Sequence, residues 1–144
     1  VTRSLQQLAL KGQRVYVHAH SAGGGFLVRH LLNDHDLLDQ IDAVIFTDST
    51  HNIQWTRENE ALLAFLSSKS CLYIKNNAER PSDTFSNHKN KPLGTPAAVT
   101  VHWQRRFGSI ATVYAGTTDH SYMCWSARNL IWEFFDSWIA DKAA

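Results

Sequence analysis

The spacing of apolar positions changes repeatedly along the chain, and each change predicts an element. In residues 2–12, Leu5, Leu8 and Ala9 share one helical face and Gly12 follows as a stop, so a helix is expected there. RVYVHA at 14–19 is short, alternating and rich in β-branched and aromatic residues, the pattern of a buried strand. SAGG then makes a sharp turn. GGFLVRHLLNDHDLLD returns to helical spacing, with Phe26, Leu27, His30 and Leu31 on one face. Asp42–Asp48 is an apolar run of strand length. TRENEALLAFLSSK reads as a helix capped by Thr56, with Glu58 in a first turn whose dipole suits negative charge. Cys71–Lys75 is a third strand. The polar segment from Asn76 to about Ala98 holds all three prolines and is expected to be a loop or insertion. Ile110–Gly116 is a fourth strand. The last helix carries Leu130, Ile131, Phe134, Phe135 and Trp138 as an apolar stripe.

Strands alternating with helices predict an α/β fold, a parallel sheet with helices on both faces. No internal repeat and no second domain interrupts residues 1–144. A hydrophobic share of 44% over 144 residues is enough for one real core. Fourteen Lys and Arg against thirteen Asp and Glu leave a net charge of +1, with no basic stripe. Direct nucleic-acid binding is therefore not expected, because a phosphate backbone needs concentrated positive charge. The apolar runs fall short of a membrane span, and no secretory leader pattern is read in the opening residues. Cys71 and Cys124 have no metal-like spacing and read as reduced or buried thiols, with one disulfide as the alternative.

AHSAG at 19–23 sets Ser21 between a strand and a helix, with Ala19 two residues before and Gly23 two after. Small flanking residues let a strained strand-to-helix turn push the hydroxyl out at the carboxyl end of the sheet. The Ala22 amide would then face a developing oxyanion from a helix N-terminus. Ala19 replaces the first glycine of the G-x-S-x-G pattern, a mild steric change. The plainer reading of the same residues is a glycine-rich turn that packs or binds phosphate.

A serine hydroxyl needs a base. In a Ser–acid–His chain order, that base belongs on the loop after the last strand, and TVYAGTTDHSYMCW supplies His120 there. Asp48 ends the strand after the elbow helix and is the favoured acid to hold the imidazole tautomer. Glu79 and Asp83, after the next strand, remain rivals, whereas Asp119 is expected to point away. His18, His20 and His51 match no zinc spacing and read as packing or hydrogen-bonding histidines. HWQRRF at 102–107 reads as a solvated edge. The chemistry calls for no cofactor and no metal.

AHSAGG at 19–24, FTDSTHNIQW at 46–55, and AGTTDHSYMCW followed by IWEFF over 115–135 together resemble the Arb-two domain family. That family is known from argonaute siRNA chaperone subunits and related cotranscriptional regulators. The resemblance covers most of the chain and is weakest between Asn76 and Gly108. It implies an α/β-hydrolase-like fold, with Ser21, Asp48 and His120 at the family's Ser, Asp and His motifs. It also implies roles in RNA silencing, chromatin or RNA processing inside protein complexes, at a nuclear or cytoplasmic site, with an organellar one as the alternative. One departure stands out: where relatives show PLDT before the last strand, KPLGT here has Gly94.

A complete hydrolase sheet has several strands ahead of the elbow and takes its second oxyanion donor from them. Here a single expected helix precedes it, and the first residue is Val1 rather than Met. The expected architecture is thus the C-terminal half of an α/β-hydrolase-like parallel sheet, completed by further sequence or another subunit, since an open strand edge invites aggregation. Two functions follow. One is a serine hydrolase of esters, thioesters or amides. The other is a non-catalytic hydrolase-like scaffold in an RNA- or chromatin-linked complex, with tryptophans such as Trp55, Trp103 and Trp125 as interface anchors.

Overall fold

A computed structural model of the chain describes residues 13–52, 59–78, 88–97 and 110–143. The helix expected over 2–12, the residues Trp55, Thr56, Glu58, Glu79, Asp83 and Trp103, and the 102–107 segment lie outside the described residues.

Among the described residues, four strands pair in sequential order, all parallel: β1 (Val15–His20), β2 (Ile41–Thr47), β3 (Cys71–Lys75) and β4 (Ala111–Tyr114). Parallel neighbours need crossover connections. Helices α1 (Ala22–Asn33) and α2 (His35–Leu38) link β1 to β2, and α3 (Glu60–Leu66) links β2 to β3. After β4 come α4 (Met123–Ser126) and α5 (Arg128–Ala143).

Strand periodicity of two explains the layers. Val44 and Phe46 of β2 and Cys71 and Tyr73 of β3 face one side. There they pack with Leu27, Val28 and Leu31 of α1, Leu37 and Leu38 of α2, and Leu62 and Leu66 of α3. Ala43, Ile45, Leu72 and Ile74 face the other side, against Met123 of α4 and Ile131 and Phe135 of α5. Both faces of the sheet are therefore covered, and the middles of the two inner strands, 43–46 and 71–74, read as apolar runs because neither face meets water. Leu130, Phe134 and Trp138 complete the α5 stripe as partly buried side chains.

Local chemistry moved three expectations. The long helix after the elbow breaks at Asp34, whose backbone is non-helical (φ −136°, ψ 89°) and whose carboxylate caps α2 by accepting from the Leu37 amide at 3.0 Å. The helix over TRENEALLAFLSSK starts later than expected. Asn59 caps it, accepting from the Leu62 amide at 3.0 Å. Phe26 is 68% exposed, because α1 buries Gly24, Leu27, Val28 and Leu31 instead.

Part of the expected proline-rich loop is ordered along the sheet. Residues 94–97 run antiparallel beside β4, through Gly94 N to Tyr114 O (2.9 Å), Tyr114 N to Thr95 O (2.9 Å) and Ala97 N to Thr112 O (2.9 Å). Pro96 is tolerated there because the bonds to β4 run through Gly94, Thr95 and Ala97 and ask for no N–H at Pro96. Gly94 sits at φ +83° in a turn closed by Thr95 N to Pro92 O. It therefore holds the position of a left-handed turn residue, which glycine adopts without penalty. Among the described residues, no helix is long and apolar enough to cross a membrane.

Candidate active site

In a parallel sheet all strands end on the same side, so the residues just past those ends gather there. Ser21 follows β1 and Asp48 follows β2. Each extends the ladder by one bond: Ser21 N donates to Thr47 O and Asp48 N to Ile74 O, both at 3.0 Å. Sheet register thereby places the two side by side. His120 arrives from the loop after β4.

Ser21 has φ 53° and ψ −126°, and Asp48 has φ 37°. Positive φ is unfavourable for residues other than glycine and concentrates at functional positions. The conformation of Ser21 has a direct consequence. Serine at a helix N-cap ordinarily accepts from the second or third helical amide, yet Ser21 makes no such bond. Its hydroxyl points to His120 instead. The helix forgoes a cap worth about 1 kcal/mol.

The turn is held from outside. The Ser21 carbonyl accepts from Thr50 N at 3.0 Å and from Gly24 N at 3.3 Å. The glycine that makes this possible is Gly24 rather than Gly23. A Cβ on Gly24 would meet Ser49 Oγ at 1.7 Å and Phe46 Cδ1 at 3.0 Å, whereas one on Gly23 would meet nothing within 4 Å. The start of α1 therefore lies directly on the 49–50 segment. That segment is anchored by His51, which is fully buried, stacked on Phe46 (4.3 Å between centroids) and edge-on to Tyr73 (4.9 Å). Burial pushes the His51 pKa down to about 3, so it is neutral at ordinary pH.

The sequence-derived set comes together. His120 Nδ1 lies 2.5 Å from Asp48 Oδ2, and His120 Nε2 lies 3.1 Å from Ser21 Oγ. A carboxylate only accepts, so Nδ1 carries the proton. In the neutral imidazole Nε2 is then bare and accepts from the Ser21 hydroxyl. The Asp48 side chain is only 6% exposed and that of His120 is 48% exposed, so the acid is shielded while the base meets solvent. The Ala22 amide opens α1, where the first helical N–H groups lack intrahelical acceptors. Asp119 points away as expected, accepting from the Ser121 and Tyr122 amides at 2.9 and 3.2 Å. Gly94 does not deprive His120 of an acid, because Asp48 supplies it.

One residue was missed. Asn76, buried just past β3, donates from Nδ2 to Asp48 Oδ2 (3.3 Å) and to Thr118 O (3.3 Å), and accepts from Ala78 N at 2.6 Å. It ties the acid to the loop that carries His120. Its neighbour Asn77 fastens that loop again, accepting from Gly116 N at 2.8 Å and donating its own amide to Thr117 O at 2.9 Å. In the sequence, a strand followed by two asparagines signals only a turn; the place of Asn76 just past the carboxyl end of β3 is the available clue.

Cys71 and Cys124 are both free thiols, and burial pushes the Cys71 pKa up to about 12. Burial and the neighbouring His20 hold His18 below the ordinary histidine range. Among the described residues, no group of three His, Cys, Asp or Glu is arranged to hold a metal ion. No family model, no curated protein and no solved structure matches the chain.

Proposed function

We propose that the chain is an α/β-hydrolase-like domain that cleaves an ester, thioester or amide through a covalent acyl-serine. The observation that carries this reading is the unbroken line Ser21 Oγ–His120 Nε2 and His120 Nδ1–Asp48 Oδ2, at 3.1 and 2.5 Å, with Ser21 turned out of its capping role. Ser21 Oγ attacks the substrate carbonyl while His120 Nε2 takes its proton. Asp48 stabilises the resulting imidazolium. The Ala22 N–H donates to the oxyanion of the tetrahedral intermediate. His120 then protonates the leaving group, and the acyl-serine forms. Water, deprotonated by His120, attacks the acyl carbon and releases the acid, and the proton returns to Ser21.

A second reading, the scaffold, is favoured by a different observation. Phe26, Trp125 and Trp132 are each more than half exposed, and large apolar side chains in water suit a protein interface. In this reading the domain works within an RNA-silencing or chromatin-linked assembly, as the resemblance to the Arb-two domain family implies.

A fluorophosphonate probe separates the two. Ser21 Oγ displaces fluoride from phosphorus, leaving a stable phosphonate ester. Labelling of the full chain that is abolished by Ser21→Ala and by His120→Ala supports the hydrolase. A folded chain that takes no label leaves only the scaffold.

A further inference from the structure

Four side chains outside the Ser21, His120 and Asp48 set converge beside it. His18 and His20 project from the same side of β1, two residues apart. Both reach the Thr47 hydroxyl of β2, His18 through Nε2 at 2.8 Å and His20 through Nδ1 at 3.0 Å. The Cys124 sulfur lies 3.6 Å from the same hydroxyl and 3.9 Å from His18 Nε2. The His20 ring stacks on the imidazole of His120, with centroids 4.6 Å apart and 27° between the planes.

A threonine hydroxyl brings one proton and two lone pairs. Between two imidazole nitrogens, Thr47 can donate to one and accept from the other, so His20 is held in either tautomer. Register fixes it further, because His20 and Thr47 are paired across β1 and β2. His20 is therefore a ring whose orientation is set before His120 arrives.

His120 needs such a surface. Its bonds to Asp48 and Ser21 hold only the two ring nitrogens, at the ring's edge. They put nothing against the ring's face, and the half-exposed side chain can tilt or swing toward water. A flat ring against its face opposes both motions.

We propose that His20 is a positioning residue for His120, a Thr47-anchored platform that keeps Nε2 aimed at Ser21 Oγ. This rests on the reading of Ser21, His120 and Asp48 as a catalytic triad. His20 touches no reacting atom, and its contribution is to the fraction of time that His120 spends in the reactive geometry. The aromatic face carries the role, so another flat ring should replace it.

The test uses the full chain with His20→Ala, His20→Gln and His20→Phe, each checked for folding by its urea midpoint. Rates of fluorophosphonate labelling are resolved into the maximal rate and the half-saturating probe concentration. His20→Ala and His20→Gln should lower the maximal rate by about tenfold, with half-saturation unchanged, and His20→Phe should restore it to within about threefold of the parent. A wild-type rate in His20→Ala, or a rate in His20→Phe as low as in His20→Ala, would overturn the proposal. If the parent chain takes no label, the hydrolase reading fails and aromatic proton spectra decide. The His120 ring protons, assigned with His120→Gln, should lose the ring-current shift of a stacked neighbour in His20→Ala and regain it in His20→Phe. Unmoved His120 resonances in His20→Ala would then sink the platform.

Discussion

Acidification from pH 7 to pH 5 should destabilise the parent chain by about 2 kcal/mol more than it destabilises His51→Phe. His51 is fully buried between Phe46 and Tyr73, and burial takes its pKa from 6.5 to about 3 in the folded state. The unfolded chain keeps the ordinary value. Between pH 3 and pH 6.5 the unfolded state therefore binds a proton that the folded state refuses, so stability rises with pH across that window and is lost as pH falls through it. Each pH unit inside the window corresponds to about 1.4 kcal/mol. pH 5 lies about 1.5 units below the unfolded value, which gives about 2 kcal/mol. His51→Phe keeps a ring against Phe46 and removes the titration. The baseline stability of the variant differs, but only the change with pH is compared. His18, also held below its ordinary value, acts in the same direction and is common to both chains. With a urea slope of roughly 2 kcal/mol per molar, the parent midpoint should fall by about 1 M more than that of the variant. Parallel midpoints between pH 7 and pH 5 would refute the premise that the folded state excludes the His51 proton.

Three other outcomes are expected. Gly24→Ala should cost at least about 1–3 kcal/mol by overpacking against Ser49 and Phe46, while Gly23→Ala, open on that side, should be near neutral in the same urea titration; equal effects would contradict the packing of α1 on the 49–50 segment. Asn76→Ala frees Asp48 and the Thr118 carbonyl together and should slow fluorophosphonate labelling by about 10- to 100-fold, and labelling at the parent rate would show that the acid needs no such tether. In the native chain at pH 8, a thiol reagent should modify the partly buried Cys124 well before Cys71, which should stay unreacted until unfolding because burial pushes its pKa to about 12; two equally fast thiols, or a fast thiol surviving Cys124→Ser, would be inconsistent with that burial.

The legibility of each element followed its dependence on neighbours. Cys71–Lys75 was read to the residue, and β2 within one residue at each end. An apolar strand buried on both faces writes its limits into composition alone. The α1 face was harder. Helical spacing admits either 26, 27, 30 and 31 or 24, 27, 28 and 31, and a pattern that counts apolar side chains favours the first because it includes Phe26. The second wins because Gly24 and Gly25 let the backbone approach the 49–50 segment, a contact with residues that the local pattern does not contain. The caps at Asp34 and Asn59 were illegible for a related reason. Several polar side chains could cap, and the one that does is the one whose oxygen reaches an amide.

Local chemistry determined that Ser21 stands at a strand-to-helix turn, that helices cover both faces of a parallel sheet, and that His120 follows the last strand. The sequence favours Asp48 as the acid for His120; tertiary structure alone makes that contact and adds Asn76 and His20. Asp48, Asn76 and His20 belong to the site through contacts spanning 72, 28 and 27 residues: Asp48 with His120, Asn76 with Asp48, and His20 with Thr47. Ser21 and His120 are themselves 99 residues apart. No periodicity reports on such distances. Parallel register does, since one ladder bond past each strand end places Ser21 beside Thr47 and Asp48 beside Ile74, and a shift of one residue would turn every one of these side chains to the opposite face.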